Sequence, residues 1–351
     1  MKKILKICLI MSVIIIGVVS FKTIDASANT KDVYPLPARI IDVFPSENLA
    51  EDMLFNLNKE SVNDVITQED IDSATSLGLG YEKNYLTDAD LQLLENAYFT
   101  NVNNVMIYPT QTMFTSFPDL STLPKLASIR AETSNQSASA SITVPDYQNY
   151  PELTSIDFNQ RIITGGLPDF SNIPKLETLE LNDCGLTSAD IPDFSNLKSL
   201  KEVGLQLNEL ETEMTDFTHL DSLESMNLSY NYLITLPPTI LDDIVIVGQL
   251  GTLPNQTVGV GTNTNITLPI YTQLDEVGRI SGFQEVRIVN SDKVTIYDEL
   301  AVNYDETTKQ IVVPTSTLAK GDYSIIIGFN GTAPYVSDGE ILEYSVLVTI
   351  N

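Results

Sequence analysis

Five apolar positions recur in a fixed frame through the middle of the chain. Leu176, Leu179, Leu181, Cys184 and Leu186 spell L-x-x-L-x-L-x-x-C-x-L. The frame returns 24 residues later as Leu200, Val203, Leu205, Asn208 and Leu210. After 23 more it returns as Leu223, Met226, Leu228, Asn231 and Leu233. This is the leucine-rich repeat pattern, whose unit is a short strand followed by a return segment. One such unit cannot bury its apolar side alone. Units must stack into a continuous core, leaving a concave parallel sheet in contact with water.

The frame extends toward the N-terminus with looser spacing. Leu153, Ile156, Phe158 and Ile163 fit it, with Arg161 at the Asn position; so do Leu126, Ile129 and Ala131, then Val102, Val105 and Ile107, then Ala74, Leu77 and Leu79. A second repeated phrase precedes five of these starts: Phe117-Pro118-Asp119-Leu120, Val144-Pro145-Asp146-Tyr147, Leu167-Pro168-Asp169-Phe170, Ile191-Pro192-Asp193-Phe194 and Met214-Thr215-Asp216-Phe217. Proline fixes φ and removes a donor, which suits an irregular convex side. The aspartate can accept from nearby backbone N–H groups in a turn, and the aromatic or leucine that follows plugs the core.

The two ends differ from the repeats. Residues 1–28 read as a signal peptide: Lys2, Lys3 and Lys6, an apolar run from Cys8 to Val19, and the cleavage site Ala26-Ser27-Ala28. The run is too short for a comfortable membrane span, so the expectation is a secreted, extracellular protein without membrane insertion. Losing Lys2, Lys3, Lys6, Lys22 and Asp25 with this segment would take the net charge from -28 to -31. That field repels nucleic acid, anionic lipid and anionic wall polymers, so no nucleic-acid partner is expected. Cys184 alone would remain, which excludes an intrachain disulfide, and its repeat position makes it a buried structural thiol.

Residues 29–72 read as a helical cap. Ser46 opens a helix over Glu47–Leu57 with Leu49, Met53, Leu54 and Leu57 on one face, and Thr67-x-x-Asp70 resembles a capping box. The repeats span 73–249, with a last strand expected within the apolar stretch Ile240–Gln249. From 250 to 351 the period changes to about seven short β-rich runs, from Thr257-Val258 to Tyr344–Ile350, separated by turn residues. That density suggests an Ig-like β-sandwich, and Gly321-Asp322-Tyr323 before an apolar strand resembles a tyrosine corner. The expected fold is therefore an α/β leucine-rich repeat solenoid with an N-terminal helical cap and a C-terminal all-β Ig-like sandwich.

The cap led by Phe44-Pro45, the phrase Val65-Ile66-Thr67-Gln68-Glu69-Asp70-Ile71-Asp72, the repeats and the β domain, taken in that order, resemble a bacterial internalin. The resemblance covers nearly all of the chain beyond the leader. It implies export from a Gram-positive bacterium and, as in several members, binding of a host protein through the concave face. It also implies an adhesion or virulence role without a wall anchor. The alternative is a bacterial envelope protein with a structural or glycan-binding role; the acidic, tryptophan-free composition does not favour it.

No catalytic constellation stands out, so the chain is read as a non-enzyme with no cofactor. The single histidine, His219, shares a repeat column with Asn149, Asn172 and Asn196 and reads as a convex-side variant. Acid pairs such as Asp242-Asp243 lack the D-x-D-x-D-G ladder of a calcium loop, so no metal is assigned. Strand side chains alternate, which places one outward column at Gly78, Met106, Arg130, Asp157, Glu180, Gly204 and Asn227, and the next at Gly80, Tyr108, Glu132, Asn159, Asn182, Gln206 and Ser229. Tyr230 and Tyr232 flank the last strand. The expected protein-binding residues are Tyr108, Arg130, Glu132, Asp157, Asn159, Glu180, Asn182, Asn227, Tyr230 and Tyr232, with Arg130 facing Glu132 or an acid of the partner. Seven strands make a strip of roughly 500 Å². A standard interface buries about 800 Å² per partner, so the rims of the strip must contribute. The chain is expected to act as a monomer.

Overall fold

A computed structural model describes residues 34–351 except 81–85, 97–98, 109–114, 116, 132–140, 212–213, 236, 240–243, 246–248, 269–282, 298–301, 306, 309 and 331–340. The leader and Glu132 lie outside the described residues.

The chain opens with a small helical layer: β1 (Ala38–Arg39), α1 (Ile40–Val43), α2 (Glu47–Asn56), β2 (Val65–Ile66) and α3 (Gln68–Ser73). The Ser46 hydroxyl caps α2 by accepting from the Leu49 N–H, and Leu49, Ala50 and Met53 turn its apolar face inward. At α3 the capping box is complete: Thr67 accepts from the Asp70 N–H, and Asp70 accepts from the Thr67 N–H. Helix α2 also does something that apolar spacing does not reveal. The Asn56 side chain accepts from Gly78 N–H and donates to Gly78 C=O, both at 2.8 Å, and the Asp52 carboxylate accepts from Gly80 N–H at 2.7 Å. These groups take the place of a neighbouring strand. An open sheet edge is a template for unwanted pairing, and here it is closed by side chains.

Seven parallel strands follow in sequence order: β3 (Ser76–Leu79), then, beyond the short helix α4 (Asp88–Gln92), β4 (Asn104–Ile107), β5 (Ser128–Arg130), β6 (Ser155–Asp157), β7 (Thr178–Glu180), β8 (Glu202–Gly204) and β9 (Ser225–Asn227). The register joins Leu77, Val105, Ile129, Ile156, Leu179, Val203 and Met226 as one inward column. Every one of them is buried. The frame read from the sequence is therefore the frame of the sheet, through its irregular N-terminal half.

The convex side follows the second phrase. Tyr147, Phe170, Phe194 and Phe217 are all buried and stack in succession, with ring centroids 6.3, 6.1 and 5.9 Å apart. Four aspartates of the repeated phrase hold the turns. Asp119, Asp169, Asp193 and Asp216 each accept from the N–H two residues on, at 2.8–2.9 Å.

Between strand and return segment lies a ladder of buried amides. Asn208 accepts from Cys184 and Leu186 N–H and donates to Leu181 and Leu205 C=O. Asn231 repeats the arrangement one turn on, accepting from Asn208 and Leu210 and donating to Leu205 and Leu228. Gln249 continues it: its carbonyl takes Leu233 N–H and its amide reaches Leu228 C=O. Cys184 occupies the same column with a buried thiol that contacts the carbonyls of Phe158 and Asn182. Burial pushes its pKa up to about 12, consistent with a structural role. Arg161 is wholly buried in this column too, and donates through Nε to Ala131 C=O at 3.3 Å. Of the stretch 240–249 expected to hold the last strand, 240–243 and 246–248 lie outside the described residues, and Val245 forms a parallel bridge to Asn227 at the end of the sheet.

The C-terminal part forms two sheets. In one, β10 (Leu250–Thr252) and β11 (Gln256–Val258) run parallel to successive parts of the long terminal strand. After β12 (Thr264–Thr267) come β13 (Phe283–Asn290), β14 (Thr295–Tyr297), β15 (Asn303–Asp305), β16 (Gln310–Val313), β17 (Gly321–Asn330) and β18 (Ile341–Ile350). The strand orders are β10-β18-β17-β13-β14, with β11 also on β18, and β12-β16-β15. Alternating Ile325 and Ile327, Val286 and Ile288, and Val346 and Val348 are buried, which sets the inner face of the larger sheet. Tyr323 donates its hydroxyl to Ala319 C=O, four residues upstream, at 3.1 Å.

Two mutants test the stacking. Leu205→Ala should cost about 2–5 kcal/mol, because a wholly buried side chain leaves a cavity between turns. Asn231→Ala should cost at least about 3 kcal/mol, since it orphans several buried backbone groups at once. His219→Ala, on the convex side, should cost under about 1 kcal/mol. Denaturant melts of the three would expose a wrong register if the losses were equal.

Candidate protein-binding face

Because the seven strands share one register, the outward positions also form a column: Gly78, Met106, Arg130, Asp157, Glu180, Gly204 and Asn227. The column expected from the sequence is the column observed, but its two ends differ from expectation. Gly80 is buried and Gly78 half-buried, with Asn56 and Asp52 of α2 bonded to their backbones. Gly80 sits at φ +75°, and a Cβ there would meet the Tyr108 carbonyl oxygen at 2.5 Å. At the other end Ser229 is buried rather than outward.

The polar residues are fastened to one another. Arg130 pairs with Asp157 on the next strand, Nε to Oδ2, at 3.2 Å. The ion pair thus runs across the sheet to the neighbouring strand. Asn159 accepts from Asn182 N–H, and Asn182 accepts from Gln206 N–H, at 2.8 and 2.9 Å. The Asn227 amide donates to Gln206 at 3.0 Å, and the Asn182 amide donates to Glu180 at 2.6 Å. These links hold the side chains of β6 to β9 in a set arrangement, so less rotamer entropy is lost when a partner docks.

Glu180 is the electrostatic centre of the face. Its carboxylate lies over Gly204, where any Cβ would collide with it. The missing side chain on β8 is what admits the acid. Burial raises the Glu180 pKa; the Asn182 hydrogen bond pulls it down, and Asp157 and Glu202 push it up further. Tyr108 is half-buried at the N-terminal end, its hydroxyl 3.0 Å from Met106 Sδ. Phe55, Asn56, Gly78, Met106 and Tyr108 line a depression of about 350 Å³ there. Tyr230 and Tyr232 are exposed, but lie past the end of β9 on the loop at the rim.

The sequence frame found the column but missed Asp52, Asn56 and Gln249. The first two are polar residues on an amphipathic helix, with nothing in their spacing to link them to a sheet edge. Gln249 falls 18 residues after Asn231, off the repeat period. Among the described residues no group of acids, histidines and cysteines is arranged to hold a metal ion, and no helix is long and apolar enough to cross a membrane.

A capped leucine-rich repeat solenoid that presents an organised polar sheet is a protein-interaction scaffold. The comparisons identify which one. The family described as bacterial adhesion/invasion protein N terminal matches residues 26–72, and leucine rich repeat matches 174–233. The internalin-like protein lmo2027 of Listeria monocytogenes is 38% identical, with 91% of this chain and 100% of that chain covered and a TM-score of 0.71. InlP of Listeria monocytogenes is 34% identical over the same shares, with a TM-score of 0.59. The protein described as secreted internalin-like protein Lmo2445 from Listeria monocytogenes is 27% identical over the same shares, at a TM-score of 0.49. No curated protein matches the chain in sequence. The chain belongs to the internalin family.

The Glu180 environment gives a pH prediction. A carboxyl whose folded pKa lies above its unfolded value binds more protons when folded, so its contribution to stability falls as pH rises through that interval. Glu180→Gln should therefore remove part of the stability loss between mildly acidic and neutral pH, and should melt no lower than the parent at neutral pH. Thermal melts across that range would show it. A variant that melts lower at every pH would mean that the carboxylate is stabilising.

Proposed function

We propose that this protein is exported from its cell and binds a host protein through the concave face as an adhesion or virulence factor. The observation that carries the reading is the continuous, mutually bonded polar strip from Arg130 to Asn227, set on a sheet that needs none of those contacts for its own ladder. Membership of a family that includes adhesion and invasion proteins supports it. The contact residues proposed are Tyr108, Arg130, Asp157, Asn159, Glu180, Asn182, Asn227, Tyr230 and Tyr232, with Glu132 beside Arg130 in sequence. The activity is recognition, not catalysis, and the active form is a monomer.

On this reading the chain divides into a signal peptide (1–28), a cap (29–72), the repeats (73–249) and an Ig-like sandwich (250–351). The Tyr323 hydroxyl, bonded to a carbonyl four residues back, supports the last assignment. Export rests on Lys2, Lys3, Lys6, the apolar run and Ala26-Ser27-Ala28. N-terminal sequencing of protein from the medium should begin at Asn29; intact precursor held in the membrane fraction would refute export.

Binding is tested by titrating the mature protein against host surface proteins captured from an extract. Tyr108→Ala and the double variant Arg130→Ala/Asp157→Ala should each weaken a captured complex by about 1–2 kcal/mol, roughly five- to thirtyfold. The convex variant Asn196→Ala should leave affinity unchanged. Loss of binding with Asn196→Ala, but not with the concave variants, would move the interface to the other side of the solenoid.

A further inference from the structure

Left-handed backbone is unfavourable for any residue with a bulky side chain, and such a residue persists only where something else over-determines it. Two groups of positive-φ residues in the solenoid are readily explained. Phe170 and Phe194, both at φ 53°, are 1% and 0% exposed within the aromatic stack, so packing offsets the strain. Asn149 at φ 69° and Asp183 at φ 60° have short polar side chains that tolerate this region. Leu207 at φ 57° and Tyr230 at φ 56° fit neither group, and nor does exposed Gln160 at φ 63°. Leu207 and Tyr230 occupy the same repeat position as Gln160 and Asp183, immediately before the buried ladder column. Yet they are large, and they are 47% and 38% exposed. Neither backbone preference nor burial favours leucine or tyrosine there.

Their neighbourhood is equally distinctive. Among the described residues of the repeats, the large apolar side chains that reach solvent are Leu207, Tyr230, Tyr232 and Val245. All four belong to the last turns. Leu207 and Tyr230 lie on adjacent turns, with Leu207 N–H bonded to Ser229 C=O at 2.9 Å, and Val245 bridges Asn227 at the end of the sheet. The sequence of these last turns carries formal charge of one sign. Residues 202–250 contain nine aspartates and glutamates and no lysine or arginine. Exposed Glu209 stands at the repeat position that Tyr232 fills one turn later.

We infer that Leu207, Tyr230, Tyr232 and Val245 form an apolar docking patch on the rim of the last repeats, and that it takes a partner protein segment carrying apolar side chains flanked by lysine or arginine. The inference rests on the reading of the repeats as a protein-binding scaffold and deepens it: the apolar anchors are displaced from the polar strip to its C-terminal rim. A second copy of the chain is a poor occupant, because a net charge of -28 repels itself and this end carries only acids. An anionic lipid surface is excluded on the same ground. The repeat turn sets a left-handed φ at this position in four successive turns, so folding accounts for the backbone but not for the choice of exposed leucine and tyrosine there.

The test has two arms on the full chain. First, Leu207→Asn and Tyr230→Asn place the residue best suited to left-handed φ at each site. If stability did not select the native residues, both variants should melt within about 2 °C of the parent or higher. Second, a phage library of random dodecapeptides is selected on the immobilised parent. The expected consensus is an aromatic or aliphatic pair flanked by Lys or Arg, its binding weakening with salt. Retention of those peptides should fall about tenfold or more on the Leu207→Asn/Tyr230→Asn double variant. Clearly lower melting of the Asn variants would overturn the inference, as would no enrichment, an acidic consensus, or equal retention on the double variant. Peptides lost on Arg130→Ala/Asp157→Ala but retained on Leu207→Asn/Tyr230→Asn would sink the rim patch and leave the concave-face reading standing. Peptides retained on both pairs would sink both.

Discussion

The structure depends on the column of buried amides between strand and return segment. A solenoid turn must bend sharply after a strand of only three residues, and the bend leaves backbone N–H and C=O groups inside the core. A carboxamide offers an acceptor and two donors on one planar group, which matches that need. Asn208 and Asn231 each satisfy their own turn and the one before it, so the turns are tied by hydrogen bonds as well as by apolar packing. Where the column departs from asparagine, each replacement solves the same problem differently. Cys184 brings a weak sulfur contact, Arg161 a long buried donor, and Gln249 a longer amide that reaches back from beyond the repeat period.

The two faces of the sheet follow from that arrangement. With the inner column committed to the core, the outer column is free to vary without disturbing the ladder of strands. It holds small, charged and amide side chains, and Gly204 creates the recess that Glu180 occupies. The acid is held where desolvation and like charges oppose its ionisation, a tension that folding alone does not require. The cap terminates the sheet by a polar device, Asn56 and Asp52 standing in for a strand, which sets where the usable face begins.

Much of this was legible in the sequence because stacked repeats contact mainly their neighbours. The inward residues from Leu77 to Met226 could be assigned by counting, and so could the outward column opposite them. The seven β-rich runs after residue 250 each coincide with a strand for the same local reason, alternation of apolar and polar residues. What counting missed depends on contacts between turns and on where each strand ends. Arg130 is expected to face Glu132 or an acid of the partner; Glu132 lies outside the described residues, and the sheet sets Arg130 against Asp157, 27 positions away on the next strand, because an ion pair follows strand spacing as well as sequence spacing. Ser229 was counted outward, but it comes after β9 has ended, where the chain has already turned inward.

The sequence by itself therefore determined the repeat unit, its register, the buried column and the family. Each of these is set by the identity of residues at fixed local offsets. Only the tertiary structure decided how the edge of the sheet is closed, which polar side chains of the face bond to one another, and where bulky residues take left-handed backbone without burial. Those features depend on contacts between turns and on φ angles, and side chains as different as Phe170 and Leu207 share a φ whose meaning appears only once their exposure is known.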